Sequence, residues 1–144
     1  MSALEKFLKV QKVREQQRLA ELGHVNSVLN EEREKLAYLD SFLSEYTIQN
    51  TLVGKVINRD ELQNQNKFVG HIVHAHHQKM MQLNKLTGIS TTKRQEFREA
   101  QSFSNAIELR VAEQKRLVRQ QKQYKEDEEN IETFNHRNND AAEY

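Results

Sequence analysis

The chain contains no proline, no cysteine and no tryptophan, and it has four glycines in 144 residues. With proline absent and glycine confined to Gly23, Gly54, Gly70 and Gly88, the residues that punctuate turns and sheet edges are nearly missing. The lack of cysteine excludes a disulfide framework and any thiolate metal site, and it fits a reducing compartment. Hydrophobic residues make up 36% and charged residues 30%, a balance too polar for a thick globular core. No apolar run approaches the roughly 20 residues needed to span a bilayer. The opening MSALEKFLKVQKVREQQ is broken by charge every few residues, unlike a signal peptide. The chain therefore reads as soluble and cytoplasmic. Its net charge of +1 gives no global pull toward nucleic acid or anionic lipid, so any electrostatic function rests on local segregation of charge.

What remains is rich in Glu, Gln, Lys, Arg, Leu and Ala, residues that lose little on entering a helix. Alternating β-branched runs are missing. The predicted fold class is all-α: a long antiparallel two-helix coiled coil, or helical hairpin, forming a single domain over 1–144. Arm one is expected over about 4–57, the reversal over about 54–60 and arm two over about 60–134, with 135–144 frayed. Asn58 or Asp60 can cap the second helix, because a short side-chain oxygen accepts from the first unpaired backbone N–H groups. The alternative reading of the chain's role is a self-associating coiled-coil scaffold, one that could take nucleic acid as a ligand.

Along arm one, Leu22, Val25, Leu29, Glu32, Leu36, Leu39, Leu43 and Tyr46 step by three and four, a heptad seam with one polar position. Leu4 and Leu8 fit the same frame. Between them and Leu22, Gln11, Glu15 and Arg18 fall on the seam while Val10, Val13 and Leu19 fall off it, which predicts an interrupted or loosely partnered register. On arm two one frame runs through Leu62, Val69, Ile72, Leu83, Leu86, Phe97, Ala100, Ile107, Val111 and Val118. The same frame also places Gln65, His76, Lys79, Ser90, Lys93 and Ser104 on the seam. A second frame, through Phe103, Leu117, Tyr124 and Ile131, predicts a change of phase of the kind a short skip produces. Folding back about Asn58 brings Leu4 near Glu113 and leaves the segment from Leu117 onward without a partner in the chain.

Two groups of residues invite a functional reading. Arg110, Lys115, Arg116, Arg119, Lys122 and Lys125 form a basic run, followed at once by Glu126, Asp127, Glu128, Glu129 and Glu132. A solvated helix surface with ion pairs between successive turns explains this pattern, and so does a docking end for an acidic partner. The adjoining acidic block, and a position C-terminal to the better heptads, argue against nucleic acid. His71, His74, His76 and His77 include pairs one turn apart that could share a metal ion, but all four cannot converge from one regular helix. They read as surface histidines, with no metal and no cofactor implied. No phosphate loop, nucleophile elbow or paired carboxylates point to an enzyme or a small-molecule substrate.

Several elements resemble the flagellar export protein FliJ family. They are a Phe/Leu-rich opening helix, the pattern Leu39, Phe42, Leu43, Tyr46 closing arm one, and Asn64, Phe68, Ile72 and Ala75 opening arm two. Glu113-Gln114-Lys115 and Asp127-Glu128 are similar to elements of that family's basic C-terminal arm. The polar layers of early arm one and the four histidines have no counterpart in the pattern. The resemblance implies a cytoplasmic coiled-coil stalk, peripheral to the inner membrane at the flagellar base. It implies three kinds of partner: the hexameric export ATPase FliI, the membrane export gate FlhA, and export chaperones. Carried over to this sequence, Phe68, Ile72, Ala75 and Lys79 would contact the gate. Arg110, Lys115, Arg116, Arg119 and Lys122 would lie at the end that docks in the ATPase ring.

Overall fold

A computed structural model describes residues 2–52 and 58–142. The chain is all-α, with α1 over Ala3–Leu52 and α2 over Arg59–Ala142 packed against each other as a helical hairpin. No strand occurs among the described residues. Of the expected reversal, residues 54–57 lie outside the described residues, and the side chains of Leu52, Val53, Val56 and Ile57, an apolar group that could receive Phe68, lie outside those described.

Both helices begin on a cap. The Ser2 hydroxyl accepts from the Glu5 amide at 3.1 Å, and Asn58 Oδ1 accepts from the Glu61 amide at 2.8 Å. Each cap is thus followed three residues later by a glutamate, and acidic residues occupy both first turns, where the helix dipole favours negative charge. Of the two candidate caps for α2, Asn58 is the one used. α2 runs unbroken through Gly70 and Gly88. Around Gly88 the hydroxyls of Thr87, Thr91 and Thr92 turn inward and donate to the carbonyls of Leu83, Thr87 and Gly88 one turn back.

The chain divides into two compact units, one of residues 15–99 and one of 1–14 with 100–144. In the unit of 15–99 the helices are antiparallel. As α1 descends from Asp40 through Glu32, Asn26 and Glu21 to Arg18, its partners on α2 ascend through His76, Lys79, Ser90, Lys93 and Glu96. Leu22, Leu29 and Leu83 are buried, and Val25, Leu36, Leu39, Leu43, Val69, Ile72, Leu86 and Phe97 are half-buried, as the expected seam has them, whereas Leu62, also expected there, is exposed. The polar seam positions are filled by interactions between the helices. Ser90 Oγ donates to Asn26 Oδ1 at 2.7 Å, and Lys93 Nζ lies 3.2 Å from Glu21 Oε2.

In the unit of 1–14 and 100–144 the seam consists of Gln11, Ser104, Ile107 and Val111, all buried, with Leu4, Leu8 and Ala100 half-buried. The edge of Phe7 meets Phe103 at 6.1 Å and 89°, Lys12 pairs with Glu108 at 3.3 Å, and Glu5 lies 3.6 Å from Lys115. The last contact falls beside the expected meeting of Leu4 with Glu113. Two expectations are corrected. The early register of α1 is not interrupted at Gln11, which is buried, or at Glu15, which is half-buried, while Val10, Val13 and Leu19 are exposed; of the three polar seam residues only Arg18 is exposed. Nor does α2 change phase. The first frame holds through Val111, while Val118, expected on it, is exposed; Phe103, Leu117, Tyr124 and Ile131 are 50%, 47%, 67% and 59% exposed, a second stripe on another face. Every residue from Ala112 to Ala141 is exposed, and α2 nevertheless stays helical to Ala142.

Candidate docking surfaces

In the unit of 15–99, the Asn58 cap starts α2 three turns before Phe68. Phe42 and Tyr46, one turn apart on α1, stack at 6.4 Å and 15°, so helical spacing alone aligns their rings. Phe68 stands against both, 5.9 Å from Phe42 at 72° and 5.7 Å from Tyr46 at 57°. These are the separations and tilts that aromatic quadrupoles favour. Phe68 remains 44% exposed. Ile72 and Ala75 are half-buried, and Leu62 and Val73 are exposed, so the apolar face is wider than the seam uses.

Lys79 is also half-buried, and its ammonium donates to Glu32 Oε2 at 2.5 Å. The Lys79 hydrogen bond is the main cause of a Glu32 carboxyl held below the usual range, and Lys35 adds to it from 3.3 Å. Of the four residues carried over for the gate, then, Phe68 presents the most surface and Lys79 is engaged by α1. His71, His74 and His77 are exposed, as expected, whereas His76 is half-buried with Nε2 2.5 Å from Asp40 Oδ1. No cluster of three metal-ligating side chains occurs among the described residues.

In the other unit, Arg110, Lys115, Arg116, Arg119 and Lys122 are all exposed on α2. Arg116 is tied to Glu113 by two hydrogen bonds, at 2.7 and 3.3 Å, which lower the Glu113 carboxyl and raise the guanidinium. Lys115 faces Glu5. Arg110, Arg119 and Lys122 make no ion pair with any described residue. Ser2, Glu5, Gln114, Lys115, Val118 and Arg119 line a shallow hollow where α1 begins. Beyond it Leu117, Tyr124, Ile131 and Phe134 repeat at spacings of seven and three, exposed by 47%, 67%, 59% and 63%. The second frame is the sequence signal for this stripe, and its exposure agrees with the expectation that the segment from Leu117 onward has no partner within the chain.

No helix among the described residues is long and apolar enough to cross a membrane. Paired helices, a polar seam and exposed apolar and basic faces define a coiled-coil protein whose distinctive chemistry lies on its surface. The chain belongs to the FliJ family: the family model described as Flagellar FliJ protein matches residues 1–137. Membership carries a role in flagellar export. Comparison with curated proteins and with solved structures gave no match.

Proposed function

We propose that the chain is a non-enzymatic stalk and adaptor of the flagellar export apparatus. In this reading the basic stretch of α2 docks in the hexameric export ATPase and promotes ring assembly. The Phe68 face contacts the membrane export gate, and the chain also handles export chaperones. It works in the cytoplasm, peripheral to the inner membrane at the flagellar base. The observation that carries the reading is the run of exposed helix from Ala112 to Ala141, bearing Arg116, Arg119 and Lys122 beside Leu117, Tyr124 and Ile131. A helix of this kind is most economically explained by an external partner that covers the apolar stripe and meets the cations. The test is stimulation of the purified export ATPase by the full chain. Joint charge reversal at Arg116, Arg119 and Lys122 should abolish it; undiminished stimulation removes the basic stretch from the mechanism.

The same exposed stripe also favours a second reading, a self-associating scaffold, since heptad-spaced apolar residues can pair with a second copy. Sedimentation of the purified chain separates the two. The adaptor is a monomer without its partners, and the scaffold a stable dimer or higher assembly.

A further inference from the structure

Phe68 carries no polar group to fix its direction, and a half-exposed phenylalanine on an isolated helix face samples several rotamers. Here its ring meets a wall built by the other helix: Phe42 and Tyr46, stacked on each other and each within 6 Å of the Phe68 centroid at a steep tilt. Both wall residues are half-buried, while Phe68 keeps 44% of its surface open. One side of the ring is therefore held and the other offered. An outside partner then meets a ring already set in place, without the entropic loss of immobilising it. Two neighbouring polar groups are engaged by α1 as well, Lys79 by Glu32 and His76 by Asp40.

We infer that Phe42 and Tyr46 are positioning residues for Phe68, so that the gate-docking face is a composite of both helices and not a property of α2 alone. The inference rests on the proposed contact between Phe68 and the export gate. The tilted ring contacts and the saved rotamer entropy correspond to a change of about threefold to tenfold in affinity.

The experiment measures binding of the full chain to the detergent-solubilised export gate, with helicity followed by circular dichroism. Phe42→Leu and Tyr46→Leu keep apolar bulk and remove the ring; Tyr46→Phe keeps the ring. The inference requires each Leu variant to bind about threefold to tenfold more weakly at unchanged helicity, and Tyr46→Phe to bind as the parent does. If Phe68→Ala weakens binding while both Leu variants bind normally, the composite face is wrong and the gate contact stands. If Phe68→Ala binds normally, the gate contact itself fails and the inference with it. A readout without the gate is available because the chain has no tryptophan. In Phe68→Trp, either Leu substitution should shift the indole emission to the red as the ring loses its wall. Unchanged emission would show that the wall does not hold the ring.

Discussion

Lys79 of α2 and Glu32 of α1, both on the seam, meet in a 2.5 Å hydrogen bond between ammonium and carboxylate. A charged pair therefore replaces an apolar layer, with the Glu32 side chain only 15% exposed. Its hydrogen bond with Lys79 lowers the Glu32 carboxyl from its ordinary value of 4.5. A carboxyl whose folded value is depressed contributes stability that is fully present above its unfolded value and is lost as pH falls through the folded one. Glu32→Gln should thus lower the thermal midpoint at neutral pH, and the deficit relative to the parent should shrink as the pH drops below about 4.5. Lys79→Glu should destabilise more, because it sets two carboxylates together, and the charge-swapped double variant should recover most of the loss. Melting curves across the pH range read all three, and a pH-independent deficit would deny the pair its role.

Ser104 is fully buried, and its hydroxyl has no hydrogen-bond partner among the described residues. A buried hydroxyl left unpaired costs about 1–3 kcal/mol, and alanine also suits a helix better than serine. Ser104→Ala should therefore stabilise the chain by about 1 kcal/mol. Ser104→Val should do the opposite, losing about 1–3 kcal/mol, since a site with no exposure has no room for a branched side chain one heavy atom larger. Chemical denaturation of both variants decides this. A destabilised alanine variant would mean that the hydroxyl has a stabilising partner.

Much of the pairing could be read before the fold was known, because seam spacing depends only on helical geometry. Leu22, Leu29, Leu83, Ile107 and Val111 are buried where the heptads put them. The polar layers resisted reading because a heptad count scores Gln11, Glu32 or Lys79 as a defect. Only the opposing helix shows that Glu32 has its cation and Asn26 its serine. The same blindness produced the expected phase change. Phe103, Leu117, Tyr124 and Ile131 are spaced by multiples of seven, and spacing alone cannot tell a stripe that faces the partner helix from one that faces out. The aromatic wall was half legible: Phe42 and Tyr46 were in the closing pattern of arm one, but their contact with Phe68 joins two helices through a reversal whose geometry no local rule supplies.

Gly23 and Gly88 sit inside continuous helices, and a Cβ added at either would meet nothing within 4 Å. Glycine in a helix interior is less favourable than alanine by about 0.5–1 kcal/mol, chiefly through unfolded-state entropy. Gly23→Ala and Gly88→Ala should each stabilise by about that amount, and the two should add because the sites share no partner. Urea unfolding midpoints of the single and double variants test it. A loss at Gly88 would indicate that the turn bearing Thr91 and Thr92 needs its flexibility.

The exposed end of α2 gives the prediction that separates folding from docking. Every residue from Ala112 to Ala141 is exposed, and the last cross-helix ion pair among the described residues of this unit is that of Lys115 with Glu5. Ending the chain after Arg119 should therefore leave the unfolding midpoint of the paired region unchanged while the total helical signal falls. Arg116 and Arg119 survive that truncation, whereas Lys122 and the stripe residues Tyr124, Ile131 and Phe134 do not. Serine at Leu117, Tyr124 and Ile131 together should likewise spare the midpoint. If the stripe is what the export ATPase covers, both variants lose stimulation although most of the basic run remains. Circular dichroism melts beside ATPase assays distinguish the outcomes. A lowered midpoint would show that the end of α2 supports the hairpin, and full stimulation by the serine variant would leave the cations, not the apolar stripe, as the docking element.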